Sequence, residues 1–432
     1  MSEKTNAKPG DYVEIHLSKL IYEGVLLETP ESEKGIVLLK LDSGYDIGFN
    51  RKDILEIRLK KRAVEKEEKV EIKKNHEKPN VALIITGGTI ASRFDPKKGG
   101  VSPLTSPEDF FKFYPELFQL VNVSKIEIPF MKFSENMDFQ DWQKLAKSVE
   151  KLLNNPEIKG IIITQGTDTL HYTSAALSFF LRNVNKPVVL TYSQRSSDRA
   201  SSDANLNLQC AALAAISDIA EVMIVGHGTS NDDFCYAMPG TKTRKLHSSR
   251  RDAFHVVNSE PFAKIYPDKI IKISDYKARN PEKAKVDAVF EDKVALLKFY
   301  PGQNPNILDY YLKNKYKGIV IEFLGLGQIA AKGASESWIG KLKEVQAKGM
   351  IICAAAQTIY GRLDPYVYSS AREILGTGVI YLEDMLSEVA FVKLGWVLGH
   401  KDWAKSKDKI REKMLENMSH ELNPRLEIDG SV

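Results

Sequence analysis

Continuous apolar runs, each followed by a turn, dominate the chain from residue 79 onward. Residues 80–88, NVALIITGG, predict a buried strand that ends in a glycine turn, and residues 158–181 predict a strand, a turn and an amphipathic helix. The strand-then-turn pattern recurs at residues 187–195 and 220–228. Continuous apolar strands alternating with helices are typical of a parallel sheet covered on both faces. In such sheets, ligands bind where the C-terminal ends of the strands open into loops.

A second α/β unit begins near Val294. The runs VALLKFYPGQ, KGIVIEFLGLGQ, GMIICAAAQT and TGVIYL are four strand candidates with helices between them. Residues 274–292 are polar and are expected to join the two units, and residues 401–422 predict a helix with its charges on the outer face.

The first sixty residues follow a different pattern. Residues 9–57 consist of short strand-like runs separated by turn residues such as Asp42-Ser43-Gly44, with no helical run. This predicts a small all-β module, for which an SH3-like barrel is the expected shape and a passive spacer the alternative role. Residues 60–80 are almost entirely charged, which predicts a linker or a solvated helix at a domain boundary.

Composition narrows the class of protein without choosing a function. The 432 residues are 43% hydrophobic and 27% charged, as expected of a globular chain with two or three domains. A net charge of +4 is too small to argue for nucleic-acid binding by itself. Cys210, Cys235 and Cys353 lie far apart, which argues against a zinc ribbon or a disulfide framework. We therefore expect a cytoplasmic protein, since we also find neither a signal peptide nor a run that could span a membrane.

Two motifs with candidate chemistry directly follow predicted strands. In residues 86–89, TGGT, a glycine turn lets backbone N–H groups approach a ligand oxygen and is followed by a hydroxyl. A structural turn or a nucleotide-binding turn are alternatives, but the absence of a following GK[ST] excludes a P-loop. Residues 164–169, TQGTDT, place a hydroxyl beside a carboxylate, a pattern that also suits a helix N-cap.

The third motif is the basic segment of residues 242–254, KTRKLHSSRRDAF. A solvated basic loop is the simplest interpretation of such a run. A buried lysine in it could instead act as a base for a hydroxyl, because burial favours the neutral amine.

Together, these motifs resemble the asparaginase/glutaminase superfamily over roughly residues 79–425. TGGTIAS is similar to its first catalytic-threonine motif and QGTDTL to its second, and residues 191–215 resemble its segment after the next strand. The resemblance implies a two-part asparaginase-like α/β unit with parallel sheets. We expect four parts, namely the β-barrel domain at 1–60, the linker at 61–78, the subdomain with the active site at 79–275 and the C-terminal subdomain at 276–425.

The resemblance also implies the catalytic residues. Thr89 is the expected nucleophile, although Thr167 stays open as its rival. Thr167, Asp168 and Lys245 are similar to the family's second triad, in which the lysine keeps a threonine hydroxyl deprotonatable. Phe254 matches the aromatic end of the family's lysine loop, and counting back nine residues gives Lys245 as the catalytic lysine.

Substrate-binding residues follow from the same resemblance. Ser134 and Glu135 are similar to the segment that holds the α-carboxylate and α-ammonium of the substrate, and a carboxylate suits an ammonium group. Gly88 and Gly166 are expected beside them, and no metal ligand is implied. Lys242, Arg244, Arg250 and Arg251 are expected to be solvated or partner-facing charges.

The loop after the first motif departs from the pattern of the simple asparaginases. Those enzymes carry a tyrosine there that assists the first threonine, whereas residues 92–109 contain none. The run DPKKGG and the nearby Pro103 predict a lid that moves.

The N-terminal module and the HSSRRDAF form of the lysine loop resemble one branch of the superfamily, the D subunits of archaeal glutamyl-tRNA(Gln) amidotransferases. This implies a glutaminase that passes ammonia to a tRNA-binding kinase and transamidase subunit, which converts Glu-tRNA(Gln) to Gln-tRNA(Gln). It also implies ATP and Mg at that partner and no cofactor in this chain, tRNA contact mainly through the partner, and a homodimer within a heterotetramer. A free-standing cytoplasmic L-asparaginase and a catalytically silent amino-acid-binding scaffold are the alternatives.

Overall fold

The computed structural model describes residues 6–29, 35–63, 77–95, 100–103, 112–196 and 201–426. Most of the predicted charged linker and much of the predicted lid lie outside these residues. Where the lid is described, its backbone forms a two-stranded hairpin.

The strands are β1 Tyr12–His16, β2 Ile21–Leu26, β3 Ile36–Lys40, β4 Asp46–Asn50, β5 Glu56–Lys61, β6 Asn80–Ile85, β7 Ser92–Asp95, β8 Gly100–Pro103, β9 Asn122–Glu127, β10 Gly160–Thr164, β11 Leu181–Arg182, β12 Val188–Thr191, β13 Val222–His227, β14 Cys235–Pro239, β15 Thr243–Lys245, β16 Phe254–Val256, β17 Ala263–Ile265, β18 Ile270–Lys272, β19 Lys285–Val286, β20 Val294–Lys298, β21 Gly318–Phe323, β22 Ile351–Ala356 and β23 Ile380–Tyr381. The α-helices are α1 Pro115–Leu120, α2 Phe139–Leu153, α3 Leu170–Phe180, α4 Ala204–Ile216, α5 Ile307–Lys313, α6 Ile339–Ala347, α7 Ser369–Leu375, α8 Ser387–Gly399 and α9 Lys407–Leu415.

The N-terminal residues form an antiparallel five-stranded sheet with the order β4-β3-β2-β1-β5. Along β3, Val37 and Leu39 are buried while their neighbours are partly exposed, as the period of two in a strand requires. These side chains pack with Val13, Ile15 and Phe49 into a small core of their own. The predicted all-β module is therefore confirmed.

The large sheet has the order β18-β17-β14-β13-β12-β10-β6-β9. The pairs from β9 to β13 are parallel, and the pairs from β13 to β18 are antiparallel. Every residue of β10 is buried, because Ile161 and Ile163 join the core that includes α2 and α3 while Ile162 joins the core that includes α4. Covering on both faces explains the unbroken apolar runs of the sequence.

The register of this sheet brings the motif-bearing loops to one edge. Thr164 pairs with Ile85 on one side and with Thr191 on the other. Because parallel strands run in the same direction, the loops after β6, β10 and β12 leave the sheet side by side.

The C-terminal unit is a parallel four-stranded sheet with the order β20-β21-β22-β23. It contains the four strand candidates expected from the sequence, so the two-part α/β architecture is confirmed. Helix α8 joins the units, because its Trp396 stacks on Phe179 of α3 with ring centroids 5.6 Å apart.

The predicted C-terminal helix is much shorter than residues 401–422. Helix α9 begins after Ser406, whose hydroxyl accepts a hydrogen bond from the Lys409 amide at 3.2 Å, and ends before Glu416, which is extended. The segment after it is held by side chains instead. Glu421, for example, accepts from the amides of Met418 and Ser419.

Over the ranges that the structure describes, none of the helices is long and apolar enough to cross a membrane. The same ranges contain no group of three or more His, Cys, Asp or Glu residues arranged to hold a metal ion.

Candidate active site

Two glycine turns pack against each other where β6 and β10 end. Gly88 has φ +87°, and a Cβ atom on it would lie 2.6 Å from the carbonyl carbon of Gln165 and from the Gly166 nitrogen. Only glycine tolerates this backbone conformation and this close approach. The contact puts Thr89 and Thr167, the next residues of the two motifs, on adjoining loops.

Thr89 begins a short 3-10 helix, Thr89–Ala91, and its side chain is exposed to solvent. Its Oγ1 donates a hydrogen bond to the carbonyl oxygen of Ser193, 2.6 Å away, in the loop after β12. The carbonyl orients the hydroxyl and leaves the oxygen lone pairs free to attack a substrate. It is not a base at neutral pH, so it cannot take the proton away during attack.

Thr167, Asp168 and Lys245 are in direct contact. Lys245 Nζ donates to Thr167 Oγ1 at 2.8 Å and to Asp168 Oδ1 at 2.7 Å. The Lys245 side chain is 12% exposed and that of Asp168 is 63% exposed, so the group stands at the protein surface rather than in the core. An amine between a hydroxyl and a carboxylate provides a route for a proton.

A two-stranded hairpin presents Lys245. Strands β15 and β16 pair antiparallel, with Lys245 opposite Phe254. The Leu246 amide donates to the Ala253 carbonyl at 2.7 Å and extends the pairing by one residue.

The interpretation of Lys242 as a solvated or partner-facing charge is wrong. Its side chain is fully buried, and Nζ donates to Asp384 Oδ2 at 2.7 Å. Burial lowers the pKa of Lys242, while the neighbouring Asp384 carboxylate acts in the opposite direction. Lys242 lies in the turn before β15, whereas Lys245 is the last residue of β15, and its amine reaches Thr167 and Asp168.

The neighbouring arginines are also paired within this chain. Arg244 contacts Glu388 of α8 at 2.8 Å, Arg250 contacts Asp252 at 2.6 Å, and Arg251 contacts Asp232 at 2.6 Å. Arg250 is still half exposed, whereas Arg251 is mostly covered.

Ser134 lies beneath the second motif. It is buried, its Oγ accepts from the Asp168 amide at 3.2 Å, and its carbonyl accepts from Thr169 Oγ1 at 2.7 Å. A Cβ on Gly166 would lie 2.9 Å from Ser134 Oγ, so this glycine is also required by packing. Glu135, the next residue, is exposed. The structure thus brings Ser134, Gly88 and Gly166 together with the two threonine loops.

One buried histidine adjoins the lysine hairpin. His171 of α3 packs on Phe254, and its Nε2 lies 4.0 Å from Glu388 Oε1. Burial, reinforced by the positive charges of Arg244 and Lys245, lowers the pKa of His171 to about 3. The imidazole is therefore neutral at pH 7 and adds no positive charge to the site.

Sequence reasoning missed several of these contacts. It assigned no role to Ser193, although this residue lies in the segment that resembles the superfamily, because the acting group is a backbone carbonyl. It also missed Asp384 and Glu388, which are 142 and 144 residues from their partners Lys242 and Arg244. No local pattern marks such distant carboxylates.

Three models of known protein families match successive parts of the chain. The model for the asparaginase N-terminal domain matches residues 80–277, and the model for the glutaminase/asparaginase C-terminal domain matches residues 293–414. A model described as the GatD N-terminal domain matches residues 7–59.

Curated relatives are similar over nearly the full length. The D subunit of glutamyl-tRNA(Gln) amidotransferase from Pyrococcus furiosus is 44% identical, with 96% of this chain and 95% of that protein covered. The protein of the same name from Methanothermobacter thermautotrophicus is 39% identical, with 99% and 96% covered.

Solved structures of L-asparaginases share the fold. The thermostable L-asparaginase from Thermococcus kodakarensis matches with a TM-score of 0.70 and 29% identity, covering 80% of this chain and all of that one, 100%. L-asparaginase I from Vibrio cholerae matches with a TM-score of 0.66 and 25% identity, covering 80% of this chain and 99% of that one.

Proposed function

Because this chain belongs to the family of glutamyl-tRNA(Gln) amidotransferase D subunits, we propose that it hydrolyses glutamine to glutamate and ammonia for use on Glu-tRNA(Gln). Membership of the family makes the chain an amidohydrolase working within an amidotransferase. The observation that carries the assignment to this site is the contact of Lys245 with Thr167 and Asp168, on the loop that packs against the Thr89 loop.

In the proposed reaction, the Thr89 hydroxyl attacks the carboxamide carbon of glutamine. The hydroxyl loses its proton as the ester bond forms, and the C–N bond breaks as the departing nitrogen gains a proton and leaves as ammonia. Water then hydrolyses the threonine ester to release glutamate and restore the hydroxyl. The Ser193 carbonyl supports this role by holding the hydroxyl, at 2.6 Å, without consuming its lone pairs. Since Ser193 cannot accept the proton, a base must come from elsewhere in the assembled site.

The second group supplies acid–base chemistry in this proposal. Lys245 shuttles a proton between Thr167 and the leaving group or water, and Asp168 holds the amine in place. Ser134 and Glu135 hold the α-carboxylate and α-ammonium of glutamine, together with the backbone at Gly88 and Gly166. The exposed carboxylate of Glu135 supports the ammonium assignment, because opposite charges attract.

Family membership supports the remaining parts of the proposal. The ammonia passes to a partner subunit that binds tRNA and converts Glu-tRNA(Gln) to Gln-tRNA(Gln) with ATP and Mg. This chain forms a homodimer within a heterotetramer, carries no cofactor of its own, and works in the cytoplasm. Contact between this chain and tRNA is modest, because a net charge of +4 attracts phosphate only weakly.

The test is glutamine hydrolysis by site variants, purified with the partner subunit. Thr89→Ala, Thr167→Ala, Asp168→Asn and Lys245→Ala should each lower turnover by about a hundredfold or more, because each removes a nucleophile or a proton route. Folding should be intact by circular dichroism. Near-normal turnover of both Thr89→Ala and Lys245→Ala would contradict the assignment.

A free-standing L-asparaginase is the second candidate, favoured by the similarity to solved L-asparaginases. The two functions differ in substrate and in dependence on a partner. Full-speed hydrolysis of asparagine by the isolated chain, unchanged by the partner and Glu-tRNA(Gln), would support the asparaginase.

A further inference from the structure

The loop that holds the Thr89 hydroxyl is itself held by a fully buried carboxylate. Asp203, at the start of α4, accepts from Ser193 Oγ at 2.9 Å, from the Gln194 amide at 3.0 Å and from the Arg195 amide at 2.9 Å. One side chain thus fixes three consecutive residues of the Ser193 loop. The position of the Ser193 carbonyl, and with it the Thr89 hydroxyl, depends on Asp203.

Asn207, one helical turn after Asp203, continues the chain of hydrogen bonds. Its Nδ2 donates to the Tyr192 carbonyl at 3.0 Å and to Asp203 Oδ2 at 3.2 Å. Both of those atoms only accept, so the orientation of the amide is determined, and its Oδ1 must face a donor. Two groups lie there, Nδ1 of His227 at 2.7 Å and the Cys235 thiol, which donates at 3.3 Å.

His227 connects Asn207 to Asp232 through its two ring nitrogens. It is fully buried, and its Nε2 lies 2.9 Å from Asp232 Oδ1. Burial alone would raise the pKa of Asp232, but hydrogen bonds from His227 and Arg251 lower it below its ordinary value, so this carboxylate only accepts. The two ring nitrogens of His227 thus join the buried Asn207 amide to the Asp232 carboxylate at the surface.

The series of hydrogen bonds ends at the hairpin that carries Lys245. Asp232 Oδ2 accepts from Arg251 Nη1 at 2.6 Å, and Arg251 lies between β15 and β16. A second link returns to the Ser193 loop, since the Tyr192 hydroxyl donates to the Arg251 carbonyl at 3.3 Å. The Tyr192 ring also packs on Phe254, with centroids 4.5 Å apart, and Phe254 pairs with Lys245.

We infer that the network of Asp203, Asn207, His227, Asp232 and Arg251, whose first three members are buried, positions the Thr89 hydroxyl relative to Lys245. Asp203 and His227 are its positioning residues. The inference rests on the proposed function, because it assigns the network to the two groups that would act on glutamine. A buried polar network that loses one member leaves the others unsatisfied, so they must move to find new partners.

Three substitutions interrupt the network at different bonds. Asp203→Asn replaces an acceptor oxygen by a donor that would face backbone amides. In His227→Asn, the amide nitrogen stands near the position of Nδ1, so the hydrogen bond to Asn207 is kept and the one to Asp232 is lost. In His227→Gln, the amide nitrogen stands near the position of Nε2, so the hydrogen bond to Asp232 is kept and the one to Asn207 is lost. His400→Gln is the matched control, because His400 also pairs with an aspartate, Asp287 at 3.0 Å, but lies at the end of α8.

The experiment uses the chain co-purified with its partner and supplied with Glu-tRNA(Gln) and ATP. The three network variants should lower kcat for glutamine by about tenfold or more, since small displacements of reacting groups are costly. KM should change by less than about threefold, because none of the substituted side chains is assigned to substrate binding. His400→Gln should match the unsubstituted protein in both constants.

A second readout separates positioning from folding. A diazoketone analogue of glutamine reacts covalently with an enzyme nucleophile, and mass spectrometry gives the labelled residue and the rate. The rate of labelling at Thr89, per folded molecule, should fall in the network variants in proportion to kcat. Unchanged labelling with lowered thermal stability would assign the network to folding alone and overturn the inference.

The two hypotheses fail in different ways. If the unsubstituted complex does not hydrolyse glutamine, the proposed function is wrong. If it hydrolyses glutamine and the Asp203 and His227 variants match it in kcat, the function stands and the positioning network is refuted.

Discussion

Lys242 and Lys245 lie three residues apart, and replacing each by methionine should have different effects: the first should lower stability and the second should lower turnover. Lys242 and Asp384 form an ion pair whose side chains are both 0% exposed. Lys242→Met leaves the Asp384 carboxylate buried; among the residues that the structure describes, Asn423 then remains as its donor, at 3.0 and 2.7 Å. Removing one partner of a buried pair costs about 3–5 kcal/mol, because the remaining charge loses its compensation.

This cost should appear as a lower thermal stability. At about 2–4 °C per kcal/mol for domains of this size, we expect Lys242→Met to lower Tm by about 6–20 °C. Lys245 belongs to a pair whose carboxylate is mostly exposed, so its loss should cost about 1 kcal/mol or less. Lys245→Met should therefore fold normally but hydrolyse glutamine at least about a hundredfold more slowly.

The assays are a thermal melt and glutamine turnover per folded molecule for each variant. Asp384→Asn is the matched control, and the Lys242→Met/Asp384→Asn double variant should recover at least about 1 kcal/mol relative to the sum of the two single losses. A Lys242→Met protein with unchanged Tm and abolished turnover would refute this reasoning and place the catalytic lysine at 242.

Three further predictions follow from other parts of the structure. The folded-state pKa of His171, about 3, lies below the ordinary 6.5, so its contribution to stability is complete above pH 6.5 and is lost as the pH falls toward 3. Between pH 8 and pH 5, the free energy of unfolding in urea should fall by about 2 kcal/mol more for the unsubstituted protein than for His171→Leu. Equal falls for the two proteins would contradict the prediction. Gly88→Ala should lower the free energy of unfolding by about 2 kcal/mol more than Gly302→Ala in the same assay, because both glycines have positive φ but, of the two, Gly88 alone would place a Cβ against backbone. Equal costs would show that the packing around Gly88 is loose. The isolated chain should hydrolyse glutamine slowly and accelerate with partner and Glu-tRNA(Gln), since a coupled site gains from completion in the working complex; an unchanged rate would exclude this coupling.

Local sequence patterns were sufficient to predict the fold class and the loops that carry Thr89 and Thr167. The buried strands β6, β10 and β12 are read from unbroken apolar runs, and glycine turns mark where two of them end. Since parallel strands end at one edge, the sequence also predicts that Thr89 and Thr167 lie on neighbouring loops. Their catalytic roles, and the predicted domain bounds, stay predictions.

The length of the last helix could not be read locally. Residues 401–422 are rich in helix-forming and charged residues, yet only Lys407–Leu415 is helical. Glu421, buried in an ion pair with Lys393 at 2.6 Å, draws the following segment into a different path. Tertiary contacts override helix propensity here because leaving Lys393 buried without Glu421 would cost about 3–5 kcal/mol, more than the few tenths of a kcal/mol that each residue's propensity contributes.

The sequence by itself determined the parallel strands, the glycine turns and the residue types that follow them, because these depend on neighbours within a few positions. Only the tertiary structure decided that Lys242 is buried in an ion pair with Asp384, and that a backbone carbonyl at Ser193 holds Thr89. The physical reason is that burial and pairing are set by groups brought together across the fold. Asp384 lies 142 residues from Lys242, and Ser193 lies 104 residues from Thr89, so no local pattern could reveal either contact.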